Sequence, residues 1–208
     1  MTSDSKSKSI VFIDYSNLHY GMQRLGWEID FIKLKEYFKH DYDVIDIYYY
    51  VGEHSFKSYF DCNKNCDRTN PNDIWIFSQN RKAKREVFRS LKKKGYKVRV
   101  KEISSIYDNT EGKYNLKCNC DVELCVDAID RMPNYDVFIL LSGDADFVKL
   151  VQYLKEHGKK AVVLAIREHF SSRLKRVANR TFNINGLRQE IEYIKKANLS
   201  DLKTRKAT

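Results

Sequence analysis

The chain has 208 residues, with 38 lysines and arginines against 28 aspartates and glutamates, which gives a net charge of +10. This length suits one α/β domain with a sizeable core and is short for two. No apolar run approaches the roughly 20 residues that span a bilayer, so we expect no membrane segment. The positive charge favours an anionic partner, usually a nucleic acid, although a solvated lysine-rich surface gives the same count.

The chain ends and the cysteines bear on domain organisation and location. Residues 1–8 are polar and lack the apolar centre of a signal peptide, which predicts a disordered tail. A single domain is expected over residues 9–197, and a basic tail over residues 198–208. The chain has 5 cysteines, an odd number that argues against a complete disulfide framework. Reduced thiols and a cytoplasmic location follow as expectations.

Five segments predict buried strands. Residues 10–13, 137–141 and 161–166 are short apolar runs, residues 44–51 are rich in Ile, Val and Tyr, and residues 96–103 alternate between apolar and charged side chains. Helical spacing fills the segments between them. After residue 120, for example, one helical face carries Val122, Cys125, Val126 and Ile129, which predicts a core contact. Gly95 and Gly158 each follow a helical pattern and predict left-handed residues at helix ends.

Strands that alternate with helices predict right-handed crossovers and a three-layer α/β domain around a mostly parallel sheet of about five strands. Two stretches show no clear pattern, at about residues 53–72 and 104–119, and we expect them to be irregular loops. The last helical pattern, over residues 187–197, predicts a closing helix.

Carboxylates stand where predicted strands and helices begin or end. Asp14 follows the first strand, Asp144 and Asp146 follow the fourth, and Asp121 begins a helix. Ligands bind beyond the carboxyl ends of parallel strands, and Gly143 would allow a tight turn there. Carboxylates that converge repel one another unless a cation joins them. Their oxygens suit Mg²⁺ or Mn²⁺, so the pattern predicts a divalent-metal site.

Simpler roles remain open for each aspartate. Asp14 and Asp121 would also serve as helix caps, and Asp144 and Asp146 would also serve as turn and cap residues. Asp127 lies six residues after Asp121 and therefore falls on another face of the same helix, so one site need not include both.

Three motifs around these aspartates resemble the NYN domain family of PIN-like nucleases. They are Phe-Ile-Asp-Tyr-Ser-Asn-Leu at residues 12–18, Lys-Cys-Asn-Cys-Asp-Val at residues 117–122, and Leu-Ser-Gly-Asp-Ala-Asp-Phe at residues 141–147. The resemblance implies a PIN-like, Rossmann-like fold and a divalent-metal phosphodiesterase that usually acts on RNA. This sequence departs from the family pattern at Cys118 and Cys120, where members often carry Gly and Val. Its acidic positions match the family.

The resemblance also implies roles for individual residues. The catalytic metal ligands would be Asp14, Asp121, Asp144 and Asp146. The residues that orient ligands or substrate would be Asn17, Ser142 and, at a family position of less defined role, Asp127.

Four cysteines fall in the two stretches predicted to be loops. Cys62, Cys66, Cys118 and Cys120 would offer four thiolates to a structural Zn²⁺. Their spacings do not match the common zinc-ribbon patterns, so unpaired thiols are the alternative.

Basic and aromatic residues suggest contacts with RNA. The densest basic stretch, residues 81–101, either tracks a nucleic-acid backbone or forms a solvated helix face. Phosphate contacts on the carboxyl side of the sheet are expected from Arg167, Arg173, Lys175, Arg176 and Arg180, and from Lys117. Tyr15 and Tyr20 follow Asp14 closely, and either base stacking or ordinary packing would explain them.

The sequence thus predicts a ribonuclease, with an endoribonuclease expected, that hydrolyses phosphodiester bonds of single-stranded or structured RNA through an aspartate-bound Mg²⁺ or Mn²⁺. A non-catalytic RNA-binding or regulatory module on the same fold is the alternative. A phosphatase of the haloacid dehalogenase type would need a second aspartate where Ser16 stands, which disfavours that chemistry. A homo-oligomer remains open.

Overall fold

The computed structural model describes residues 6–194. Its strands and helices, in chain order, are β1 (Lys8–Asp14), α1 (Tyr15–Leu25), α2 (Phe31–Asp41), β2 (Asp43–His54), α3 (Phe56–Cys62), α4 (Pro71–Lys93), β3 (Tyr96–Asp108), β4 (Lys113–Lys117), α5 (Asp121–Asp130), β5 (Val137–Leu141), α6 (Val148–Glu156), β6 (Lys160–Ala165), α7 (Ser172–Val177), β7 (Arg180–Asn183) and α8 (Arg188–Ile191). The tail expected at residues 198–208 lies outside the described residues, as do residues 1–5 of the other tail.

Within the described residues, seven strands form one sheet at the centre of the domain, in the order β4-β3-β2-β1-β5-β6-β7. Every pairing is parallel except β3 with β4. The five predicted strands are confirmed, and β4 and β7 extend the sheet beyond the expected number. The chain adds β2 and β3 on one side of β1 and later places β5, β6 and β7 on the other. The strand order therefore reverses between β1 and β5.

The central strand is buried on both faces, which explains its unbroken apolar sequence. Val11 and Ile13 belong to the core on the side of α1 and α2. Ile10 and Phe12 belong to the core on the side of α5 and α6. This arrangement confirms the predicted three layers. None of the helices within residues 6–194 combines the length and the apolar character needed to cross a bilayer.

Both stretches expected to be irregular loops contain regular structure. Strand β2 continues to His54 and is followed by α3. Strands β3 and β4 form an antiparallel hairpin whose turn includes Gly112 at φ 59°. The prediction was wrong for the second stretch because β4 is short and exposed along its whole length, so the alternation of Tyr114 and Leu116 with polar residues spans only this one strand.

The predicted core face of α5 is wrong for three of its four residues, while Cys125 is partly buried against the core. Val122, Val126 and Ile129 are 69%, 61% and 41% exposed, whereas Leu124 and Ala128 are fully buried. The periodicity indicates an apolar strip on this helix, but that strip is mostly exposed. The contact with the sheet is made by another side of the helix, which carries Leu124 and Ala128.

Two predicted helix ends are confirmed, and the predicted closing helix is too long. Gly95 and Gly158 adopt the expected left-handed conformation, with φ of 87° and 78°. The closing helix is shorter than expected, because α8 ends at Ile191 and Glu192 forms an antiparallel bridge with Ile29. Residues 195–197 of the predicted helix lie outside the described residues.

Candidate metal centre

Asp14 and Ser142 meet where the central strands end. Ile13 pairs with Leu141, so the residues that follow them emerge side by side at the carboxyl edge of the sheet. The Ser142 hydroxyl donates a hydrogen bond of 3.0 Å to Oδ2 of Asp14. Oδ1 of Asp14 accepts from the backbone N–H of Asn17 at 3.2 Å and so caps α1. The cap and the site at the sheet edge therefore involve the same residue.

The turn after β5 is held by the same side chains. The N–H of Gly143 donates to Oδ1 of Asn17 at 2.9 Å, and the N–H of Asp144 donates to the Ser142 hydroxyl at 3.2 Å. A Cβ on Gly143 would lie 2.0 Å from the carbonyl oxygen of His169. Glycine is required by this close approach rather than by a left-handed turn.

Three aspartates converge beside this turn. Asp121, Asp144 and Asp146 each place a carboxylate oxygen within 4.8 Å of the others. Asp144 accepts a 3.0 Å hydrogen bond from the N–H of Asp146 through Oδ1, so the cap uses one of its two carboxylate oxygens. Asp121 starts α5, and its N–H donates to Oδ1 of Asn119 at 2.6 Å. We call Asp121, Asp144 and Asp146 the aspartate cluster.

Asp14 stands apart from the aspartate cluster but lines the same cleft. Its side chain is buried, and this burial raises its pKa to about 6, with a further contribution from the negative charges of Asp121 and Asp144. The N–H of Asn17 and the hydroxyl of Ser142 oppose that shift. The buried carboxylate is therefore costly to ionise, and a nearby cation would lower that cost.

Ionisation is also disfavoured within the aspartate cluster. Burial raises the pKa of Asp121, and the charges of Asp144 and Asp146 raise it further. The negative charges of these carboxylates repel one another. Their oxygens are hard ligands of the kind that Mg²⁺ and Mn²⁺ prefer. The residues present therefore fit the metal that the sequence predicts.

The cleft above these carboxylates has a volume of about 220 Å³. One wall is α1, through Ser16, Asn17 and Tyr20, and the other is the segment 118–121. The sequence did not single out Asn119 for the site. An Asn two residues before a helix start is a capping signal that would have indicated its bond to the N–H of Asp121.

Asp127 does not join the aspartate cluster. Its Oδ2 accepts hydrogen bonds from the hydroxyl of Tyr50 at 2.8 Å and from Nε of Arg99 at 3.0 Å. The expectation that Asp127 orients the metal ligands is not supported by these contacts, which join α5 to β2 and β3.

The basic residues after β6 divide between the two ends of the sheet. Arg173 and Arg176 line a depression that also includes Asp146. Arg167 follows the carboxyl end of β6, and Nζ of Lys175 lies 4.7 Å from the ring centre of Phe170. Arg180 instead begins β7 opposite Val162, toward the amino end of the sheet. Its expected position is wrong because α7 returns the chain across the sheet.

Lys117 and the basic stretch 81–101 have different surroundings. Lys117 ends β4 and is followed directly by the cleft wall. Much of the stretch is paired with carboxylates from elsewhere in the chain: Arg81 and Arg85 with Glu53, Lys97 with Asp46, Arg99 with Asp127, and Lys101 with Glu123. These cations thus join elements of the fold, while Lys82, Arg89, Lys92 and Lys93 are exposed on α4.

The four cysteines do not converge as one set of potential ligands in residues 6–194. Within residues 6–194 the aspartate cluster is the only group of three or more potential ligands that converges, and all five cysteines are free thiols. Cys118 and Cys120 line the aspartate cleft, whereas Cys62 lies near the carbonyl oxygen of Tyr114, at 3.9 Å. The arrangement of the described residues therefore gives no support to a Zn²⁺ shared by these four thiols.

The two tyrosines of α1 have different environments. The ring of Tyr15 packs on Tyr49 with centroids 5.1 Å apart, so packing explains it. Tyr20 is 66% exposed and lines the cleft. His19 is held by the hydroxyl of Tyr15 at 3.3 Å and by Gln23 at 3.1 Å, which is a structural arrangement.

Sequence comparisons identify a family and similar proteins. The family model described as NYN domain matches residues 8–185, which include all four candidate metal ligands. The chain is 25% identical over 189 residues to the low amplitude and bright protein LabA of Synechococcus elongatus, covering 89% of this chain and 88% of LabA. An uncharacterized protein of Methanocaldococcus jannaschii is 36% identical over 66 residues, covering 31% of this chain and 28% of that protein.

A solved structure shows the same fold. The crystal structure of VPA0982, a protein of unknown function from Vibrio parahaemolyticus, matches with a TM-score of 0.65 and 21% sequence identity. The match covers 93% of this chain and 100% of that chain.

Proposed function

The chain belongs to the NYN domain family, and from that premise we propose that it is a ribonuclease that depends on a divalent metal ion. The observation that carries the proposal is the aspartate cluster, whose oxygens lie within 4.8 Å of one another. The cluster lies where the strand order reverses, between β1 and β5, which is where open α/β sheets bind their ligands.

Asp121, Asp144 and Asp146 would hold the cation, and Asp14 would add its charge from the same cleft. When bound, the cation supplies charge neutralisation at a phosphate and activation of a water. Ser142 and Asn17 fix Asp14 and the turn that carries Asp144. Arg173 and Arg176, beside Asp146, would hold phosphates of the RNA backbone.

The distribution of charge favours hydrolysis over simple binding. The chain as a whole carries a net charge of +10, yet negative charges are concentrated at the centre of the site. A protein that only bound RNA would lose affinity from such a cluster, whereas a metal-dependent hydrolase requires it. The free thiols fit the cytoplasmic location that we also propose.

The experiment follows cleavage of a labelled single-stranded RNA with Mg²⁺, with Mn²⁺ and with EDTA. Asp144→Asn removes one charge of the aspartate cluster, and Asp130→Asn makes the same change on the exposed surface of α5. We expect cleavage by the wild type and by Asp130→Asn, none in EDTA, and a loss of more than about 100-fold in Asp144→Asn.

Undiminished cleavage by Asp144→Asn would show that the site is wrongly assigned. RNA binding without cleavage, by a wild type supplied with either metal, would instead establish the non-catalytic RNA-binding or regulatory module.

A further inference from the structure

Tyr20 is an exposed aromatic residue at the mouth of the aspartate cleft. It is 66% exposed and lines the cleft together with Asp14, Asp121 and Asp144. A tyrosine offers a large, flat contact surface that usually packs against other groups, as Tyr15 does against Tyr49. The ring of Tyr20 therefore contributes little to the core and stands where a substrate would enter.

The geometry of α1 directs this ring toward the cleft. Side chains of a helix lean toward its N-terminus, and residues four apart share a face. Tyr20 thus lies on the same face as Ser16, which also lines the cleft. The helix is closely seated, because a Cβ on Gly21 would lie 2.2 Å from Cδ1 of Ile166. The ring is carried by an element that Asp14 caps and that packs tightly on the fold.

We propose that Tyr20 is a stacking site for a nucleobase of the RNA strand that occupies the cleft, an inference that rests on the proposed ribonuclease function. Every base has a π-face, so an exposed aromatic ring binds bases with little dependence on sequence. The phosphate of the same nucleotide would lie at the aspartate cluster, and the uncharged ring would contact the base whether or not a cation is present.

This contact selects unpaired RNA. In a duplex the faces of the bases are covered by their stacked neighbours, and RNA recognition by aromatic stacking acts on bases that are splayed out. Tyr20 therefore discriminates between strands by requiring a free base face. Its loss weakens the binding of single-stranded RNA and leaves the weaker binding of a duplex unchanged.

The experiment uses a short single-stranded RNA with one 2-aminopurine, moved along the strand in a series, and the same sequence as a duplex. The Asp144→Asn protein binds it without cleavage and is compared with the same protein carrying Tyr20→Ala, Tyr20→Phe or Tyr193→Ala. Tyr193 is also an exposed tyrosine, at 52%, but is not among the residues that line the cleft. Quenching of the 2-aminopurine fluorescence reports stacking directly.

We expect quenching at one position, its loss in Tyr20→Ala together with a fall in affinity of about 10- to 100-fold, and its retention in Tyr20→Phe and Tyr193→Ala. Equal quenching and affinity in Tyr20→Ala would overturn the inference. Loss of duplex binding as large as the loss for single strands would overturn it as well. If the wild type fails to cleave RNA but the quenching depends on Tyr20, the proposed function fails and the stacking site stands.

Discussion

The Ser142 hydroxyl donates a 3.0 Å hydrogen bond to Oδ2 of Asp14, across the ends of the adjacent strands β1 and β5. The same hydroxyl accepts from the N–H of Asp144 at 3.2 Å. One side chain thus positions two of the candidate metal-binding aspartates. Groups that orient metal ligands typically contribute 10- to 100-fold to metal affinity.

The first prediction is therefore that Ser142→Ala weakens Mn²⁺ binding by about 10- to 100-fold, measured by isothermal titration calorimetry. Ser90→Ala, which changes an exposed serine of α4, serves as the control and binds Mn²⁺ as the wild type does. Unchanged Mn²⁺ affinity in Ser142→Ala would show that this hydrogen bond does not position the site.

The second prediction concerns the dependence of stability on pH in the absence of metal. Burial raises the pKa of Asp14 to about 6, from its ordinary value of 3.8. The folded state therefore holds this proton more tightly than the unfolded state, so the stabilisation is present at about pH 4 and is lost as the pH rises through 6. The full shift corresponds to about 3 kcal/mol.

Asp14→Asn removes this titration. In EDTA, the free energy of unfolding of the wild type should fall relative to that of Asp14→Asn between about pH 4 and 6, as followed by urea denaturation. A difference between the two proteins that stays constant over this range would contradict the assigned cause.

The third prediction separates Asp127 from the metal centre. Asp127→Ala removes the partner of Arg99 and of the Tyr50 hydroxyl, so we expect a loss of stability of about 1–3 kcal/mol. Mn²⁺ affinity should stay unchanged, because Asp127 is not part of the aspartate cluster. A tenfold loss of Mn²⁺ affinity in a folded Asp127→Ala protein would restore the role that the family resemblance implied.

The fourth prediction assigns phosphate contacts to Arg173 and Arg176, which border Asp146. The Arg173→Gln/Arg176→Gln protein should bind single-stranded RNA with a log–log salt slope smaller by about 1.4, since each contact contributes about 0.7. Lys92→Gln/Lys93→Gln, in the last turn of α4, removes the same charge elsewhere. The assignment fails if both pairs reduce the slope equally.

The site was predictable largely because its residues follow local signals. Asp14 and Asp144 stand where apolar runs stop, and the motifs around them resemble one family. Which of the four aspartates converge as one set of ligands was not predictable from the sequence. Both oxygens of Asp14 accept hydrogen bonds from Asn17 and Ser142, whereas Asp146 lies in the converging cluster. That difference depends on contacts between distant segments.

The other differences between prediction and structure also come from contacts between distant segments. The cations of β3 have carboxylate partners on β2 and α5, which a local count of charge does not contain. Val122 and Val126 form an apolar strip that is exposed, because the contact of α5 with the sheet is made through Leu124. Arg180 was misplaced because the direction in which α7 crosses the sheet is a property of the tertiary structure.

Anomalous scattering from crystals grown with Mn²⁺ tests most directly whether the aspartate cluster binds the divalent cation. We predict an anomalous peak within about 2.0–2.6 Å of carboxylate oxygens of Asp121, Asp144 and Asp146. Mn²⁺ bound in the crystal at other residues, with the three carboxylates lacking the ion or turned away from one another, would contradict the account.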